Sequence, residues 1–353
     1  MIVKNEGHVL ARCFDSLKHM IDYWVIADTG STDDTPDVIM HELTGIPGEL
    51  SVDNWVDFSH NRNLVLNRAR GKADWLIMHD ADETLEGDFS GLNPDADAHG
   101  LYLFCGAARN VMCRIFRGDQ SWSYHGEMHE HPDVDGKKIS FLRTLRNYSH
   151  RDGARSRDPE TPLRDAEILR RMPRTPRNLF NLAQSLKDAG QIDAAIAAFE
   201  DSAAQDEFKE QAWLARYIAA ELCMTARPQE AAARMVQCIE DDPRRAEPFY
   251  CLALLHKEKN PAFALAYATR AARMPVPRRL LAVDMDIHRW KAAELAYQLA
   301  WKLDDFEEMK RSLKQVWDNG SEPAKERVLE NRVILDEHLE TLEVASAAGR
   351  REG

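Results

Sequence analysis

The sequence predicts an α/β N-terminal domain on a Rossmann-like sheet, residues 1–155, then an all-α helical repeat domain, residues 156–345, and a polar tail, 346–353. Two observations carry this prediction. Short β-rich runs alternate with helical stretches over the first part of the chain, the pattern of a sheet with crossover helices. Beyond Pro159, Pro162, Pro173 and Pro176 the composition then shifts to Ala-rich amphipathic segments.

Taken in order, Ile2-Val3 is the stub of a first strand, Trp24-Val25-Ile26-Ala27 a second and Trp75-Leu76-Ile77-Met78 a third, while Leu101-Tyr102-Leu103-Phe104 opens a more irregular strand region. Each of the first three runs into polar residues: Lys4-Asn5-Glu6, Asp28-Thr29-Gly30-Ser31 and His79-Asp80-Ala81-Asp82. Ligands of open α/β sheets lie outside the carboxyl ends of the strands, so these clusters are expected to converge on one crevice. In the second half, Leu179, Leu182, Ala183, Leu186, Gly190, Ala195 and Phe199 fall at the offsets of a tetratricopeptide helix pair. Trp213, and later Phe249 with Leu252 and Ala253, reopen similar units at intervals near the usual period of about 34. A more divergent helical unit is expected around Trp290 to Val316.

The chain of 353 residues carries a formal charge of −13, with 44% hydrophobic and 30% charged residues. That composition suits a folded globular protein and argues against one whose main task is gripping nucleic-acid backbone, which requires a cationic surface. Six scattered Cys form no CxxC pair, as expected for thiols in a reducing compartment. No run approaches the roughly 18 apolar residues of a membrane span, and the start lacks the apolar core of a signal peptide. The expected location is cytoplasmic.

Asp80 and Asp82 flank a small residue at a strand end, so both carboxylates can reach one site. A hard cation such as Mg²⁺ or Mn²⁺ takes one or two carboxylates plus substrate phosphates. A lone Asp-x-Asp is most often only a solvated turn; here the context argues otherwise. Asp28 can accept hydrogen bonds from a base or ribose, Gly30 permits a sharp turn, and Ser31 or Asp33 can cap the next helix. Arg62 offers a fork matched to phosphate oxygens, or else a surface salt bridge.

In order along the chain, Met1-Ile2-Val3-Lys4-Asn5-Glu6, Asp28-Thr29-Gly30-Ser31-Thr32-Asp33-Asp34-Thr35, Phe58-Ser59-His60-Asn61-Arg62-Asn63 and Ala73-Asp74-Trp75-Leu76-Ile77-Met78-His79-Asp80-Ala81-Asp82-Glu83 closely resemble the family 2 glycosyltransferases of the GT-A fold. The resemblance implies that the first two strand ends (Lys4, Asn5, Glu6, Asp28, Gly30) hold base and ribose, that Arg62 and Asn63 lie near the donor, and that Asp80 and Asp82 carry the metal, with Asp80 also available to the ribose. Trp122-Ser123-Tyr124-His125-Gly126-Glu127-Met128-His129-Glu130 resembles the family segment beside the acceptor, and His150 with Gly153 a later His-containing turn. His129 and His150 are the alternatives for a third metal ligand, and Glu130 is the expected base of an inverting displacement. His125 and His131 are expected to be structural, and His129-Glu130-His131 is not a zinc-protease HExxH motif.

The expected reaction is metal-dependent transfer from a nucleoside diphosphate sugar, a UDP-sugar by preference, to a polypeptide or surface glycan. The repeats would form an acceptor-recognition or homodimerisation surface. Competing readings are an interaction scaffold with a catalytically decayed first domain, and a nucleotidyltransferase, for which Lys4-Asn5-Glu6-Gly7 is a poor phosphate loop. The family pattern places several apolar residues ahead of the first motif. Here the numbering begins at Met1, so either the strand is short, with weaker donor binding expected, or the start lies upstream.

Overall fold

The computed structural model describes residues 1–328. The expected polar tail, 346–353, and the end of the expected repeat domain lie outside the described residues. The chain divides into two compact units, Met1–Ala215 with Arg279–Val283, and Arg216–Arg278 with the chain from Asp284 on.

The first unit opens with β1 (Ile2–Val3), α1 (Gly7–Leu17), β2 (Trp24–Asp28), α2 (Thr35–Glu42) and β3 (Gly48–Val52). β1, β2 and β3 form a parallel three-stranded sheet, with Val3 opposite Asp28 and Asp28 opposite Val52. Parallel neighbours need crossovers, which α1 and α2 supply. α3 (Phe58–Ala69) then leads to β4 (Trp75–Ile77), β5 (Glu83–Gly87), β6 (Ala98–Cys105), β7 (Ala108–Arg117), the short pair β8 (Tyr124–His125) and β9 (His131–Pro132), and β10 (Ile139–Ser149). In the second sheet the order runs β7, β6, β10, β5, with β4 also pairing β7. One core joins both sheets, because Leu10 and Phe14 of α1 and Ile26 of β2 pack in the same buried cluster as Leu101, Ile115, Leu142 and Leu145.

β1 spans two residues. The Met1 ammonium is buried and donates to the Val25 carbonyl at 3.0 Å. Burial, then the nearby Arg62 charge, lowers its pKa to about 5. Beyond it a cavity of about 290 Å³ lies among Met1, Met20, Trp24, Leu66, Trp75 and Ile77, at the starts of β2 and β4.

Helices follow the sheet. α4 (Ala154–Arg157) and α5 (Thr161–Arg171) precede α6 (Pro176–Asp188) and α7 (Ile192–Gln205). The last two are the expected helix pair: Leu179, Leu182, Ala183 and Leu186 are buried on α6, Ala195 and Phe199 on α7. Gly190 makes the turn between them at φ 74. The unit boundary falls within α8 (Lys209–Cys223), after which α9 (Pro228–Asp241), α10 (Glu247–His256) and α11 (Pro261–Ala272) continue the repeat pattern. A π-helical turn at Ile287–Lys291 precedes α12 (Ala292–Lys302) and α13 (Phe306–Asn319), which gives the divergent last unit its irregular start.

Candidate active site

The ends of β1 and β2 are laced together by short polar side chains. Asn5, in the left-handed region at φ 58, donates its N–H to Ser31 Oγ at 2.9 Å, while its Oδ1 accepts from Thr32 N at 2.7 Å. Thr35 Oγ1 accepts from the N–H groups of Glu6, at 2.7 Å, and Gly7, at 2.9 Å, and so serves the start of α1 from across the crevice. Asp33 Oδ1 accepts from Thr35 N at 3.1 Å just ahead of α2, whose N-cap is Asp34 without a side-chain cap bond, and Ser31 turns to Asp28 and Asn5. A side chain at Gly7 would put Cβ 2.2 Å from Asp34 Oδ1.

Asp28 is buried, and its Oδ1 accepts from Gly30 N at 3.0 Å, Ser31 N at 2.8 Å and Ser31 Oγ at 2.8 Å. Gly30 carries φ 102, which a side chain would strain. All these bonds fall on one oxygen, and Oδ2 has no hydrogen-bond partner among the described residues.

The two aspartates after β4 differ sharply. Asp80 Oδ1 meets Arg62 Nη2 at 2.7 Å and its Oδ2 meets Arg114 Nη2 at 3.0 Å. Burial opposes ionisation of Asp80, but Arg62 and Arg114 outweigh it and hold the carboxyl below its usual range. Asp82 is half-buried and its carboxylate pairs with no described residue. Burial, then the charges of Asp80 and Glu83, raises its pKa. Glu6 is raised in the same direction by burial and by Asp82, even though Ala154 N donates to its Oε2 at 3.1 Å. Glu6 and Asp82 meet across Gly153, where a Cβ would lie 3.1 Å from Glu6 Oε2 and 3.4 Å from Asp82 Cβ. The expected convergence of the first and third strand ends is therefore present.

Other expected residues are distributed around this centre. Lys4 is exposed. Arg62 is a buried member of an ion network rather than a surface partner: its Nε donates to Glu130 Oε1 at 2.5 Å and its Nη1 has no partner among the described residues. Both ends of the Asn63 amide bind the Tyr124 backbone, at 2.7 and 3.1 Å, so Asn63 orients the Tyr124 segment. His150 is joined to Asp82 through its backbone, N–H to carbonyl at 3.1 Å, and its Nε2 lies 3.0 Å from Thr84 Oγ1. His129 sits at φ 51, with its carbonyl accepting from Arg177 Nη2 at 3.1 Å. His125, exposed, lies 3.5 Å from Asp133. No group of three or more His, Cys, Asp or Glu among the described residues is arranged to hold a metal unaided.

Several participants had no motif to reveal them. Arg12 forms two hydrogen bonds to Asp152, at 2.8 and 2.7 Å, and latches α1 to the loop that carries Gly153. Arg114, Glu83 and Asn147 lie beneath Asp80. The one available signal was a charged residue within the apolar run Val111-Met112-Cys113-Arg114-Ile115-Phe116.

The family model described as Glycosyl transferase family 2 matches residues 1–158. The prophage-derived glycosyltransferase SunS of Bacillus subtilis is 24% identical over 222 residues, 55% of this chain and 50% of that protein. A glycosyltransferase of Rickettsia prowazekii is 26% identical over 159 residues, covering 42% and 50%. A TPR repeat-containing protein of Synechococcus elongatus is 40% identical over 86 residues, covering 24% and 20%. The chain thus spans a fifth to a half of the length of these relatives.

Proposed function

Because residues 1–158 are a glycosyl transferase family 2 domain, we propose that the chain transfers a sugar from a nucleoside diphosphate sugar, a UDP-sugar, to a polypeptide or glycan acceptor. The observation that carries this is the meeting of Asp82 and Glu6 at the strand ends, beside an Asp28 whose Oδ2 is open. We assign the catalytic machinery to residues 1–155, since β10, the last strand before the helices, ends at Ser149.

The donor set fits a hard divalent cation, Mn²⁺ or Mg²⁺. Asp82 is an oxygen ligand without a cationic partner, in surroundings negative enough to raise its pKa, and such ions need only one or two carboxylates when phosphates complete the sphere. Asp82 would hold the ion, with Glu6 beside it. His150, tied by its backbone to Asp82, is better seated than His129 to be the third ligand. Bound there, the ion would neutralise charge developing on the departing diphosphate. Asp80, held by two guanidiniums, acts through its place in the network and through the ribose.

Asp28, Gly30, Asn5 and Glu6 form the base and ribose wall, with Lys4 at its rim. Arg62 serves the donor through Asp80, whose Oδ1 its Nη2 holds at 2.7 Å. Glu130 serves as base for inversion: Arg62 holds its Oε1, leaving Oε2 to take the acceptor proton. The helical repeats supply the acceptor surface, and six free cysteines support a reducing, cytoplasmic setting. No helix among the described residues is long and apolar enough to cross a membrane.

Hydrolysis of a panel of nucleotide sugars with Mn²⁺ tests the reading. Turnover of one UDP-sugar is expected, falling at least tenfold in EDTA and about 100-fold or more in Asp82→Ala. Turnover unchanged by both would exclude the metal role.

A further inference from the structure

β7 carries Arg114 between Cys113 and Ile115, with a side chain only 8% exposed. Burying a guanidinium is costly unless it is paired and hydrogen-bonded. Arg114 Nη2 lies 3.0 Å from Asp80 Oδ2 and 3.1 Å from Glu83 Oε1, and Nη1 donates to the Met78 carbonyl at 3.4 Å. Glu83 Oε2 in turn accepts from Asn147 Nδ2 of β10 at 2.8 Å and from Asp80 N at 3.3 Å. One planar cation therefore grips the residue before the turn and the carboxylates at its two ends, and Asn147 anchors the far end to the sheet.

We propose that Arg114 is a positioning residue of the donor site: it clamps Asp80 and Glu83 so that Asp82, between them, stays directed off the strand end toward Glu6. This rests on the donor-site reading above. An apolar side chain would fill the same space in β7 without the cost of desolvating a charge, so the pair is weak evidence for stability alone. A guanidinium adds a rigid fork that can meet two carboxylates and a carbonyl at once, which a lysine ammonium cannot match. Charge balance points the same way. The cluster holds Asp80, Glu83 and Glu130 against Arg62 and Arg114, and removal of Arg114 leaves Arg62 divided between Asp80 and Glu130, with Glu83 keeping Asn147 and His79 but no guanidinium.

The test uses the full chain in three forms: wild type, Arg114→Lys, and the double variant Arg114→Met/Glu83→Gln, which removes both buried charges and so guards against simple misfolding. Thermal midpoint, UDP affinity with Mn²⁺, and kcat and KM for the UDP-sugar are measured on each. The double variant is expected to keep its midpoint within a few degrees yet lose at least tenfold in Mn²⁺-dependent UDP affinity and in kcat/KM. Arg114→Lys is expected to fold, with an intermediate loss. An active wild type with variants within twofold of it overturns the role of Arg114 alone. A wild type that neither binds UDP with Mn²⁺ nor turns over any nucleotide sugar overturns the donor reading, and the role of Arg114 with it.

Discussion

Asp80 and Asp82 stand two residues apart, yet Asp80 meets two guanidiniums and the carboxylate of Asp82 none among the described residues. Their substitutions should differ accordingly. Asp82→Asn should leave stability within about 0.5 kcal/mol, because it breaks no described contact, while removing Mn²⁺-stimulated turnover. Arg62→Ala should cost about 3–5 kcal/mol in a urea titration, because Asp80 and Glu130 lose the same buried partner. Glu6, Asp28 and Asp82 were legible in the sequence because polar residues at the ends of apolar runs mark a crevice. Arg62 was legible as a candidate phosphate ligand but not as the buried partner of Asp80 and Glu130, since nothing in Asn61-Arg62-Asn63 says which way the helix faces. Arg114 was still less visible, because its two partners lie about 30 residues upstream and meet it only through the pairing of β4 with β7.

At the scale of elements, β2, β4 and the first helix pair were readable from apolar runs and helical spacing. β3 was not, because Gly48-Glu49-Leu50-Ser51-Val52 is a partly exposed strand with few apolar residues. Phe199 is fully buried and packs edge-on against Phe180 at 5.4 Å. Phe199→Ala should therefore cost about 3–5 kcal/mol, read from the urea midpoint, even though the site is remote. The cavity beyond Met1 makes a second prediction. Four apolar β-branched residues added before Met1 would continue β1 into the space beside Trp24 and Trp75, bury apolar surface and relieve the buried ammonium. A rise of several degrees in Tm is expected, whereas the same length of Gly-Ser should give none.

Across the whole molecule, stability should fall on acidification for a definable reason. His99 Nε2 accepts from Asn93 N at 2.9 Å, and His288 lies with Nδ1 3.3 Å from the Met274 carbonyl, both buried. Burial, helped by Arg117 at His99, lowers both pKa values. At these two sites the unfolded chain binds more protons below about pH 6.5, so their contribution to stability is fully present above that pH and is lost as pH falls. Each imidazole contributes at most about 1.4 kcal/mol per pH unit. Urea midpoints at pH 7 and 5.5 check this, and His99→Gln, which keeps an acceptor for Asn93, should flatten the slope. The α/β-then-helical architecture was legible because periodicity is local, whereas the burial that sets these imidazoles depends on elements far apart in the chain. The most direct test of the central claim is calorimetric titration of UDP into the full chain with Mn²⁺ and again with EDTA. The account predicts saturable binding with Mn²⁺ that weakens at least tenfold in EDTA and in Asp82→Ala. Equal binding in all three, or no binding with Mn²⁺, would contradict it.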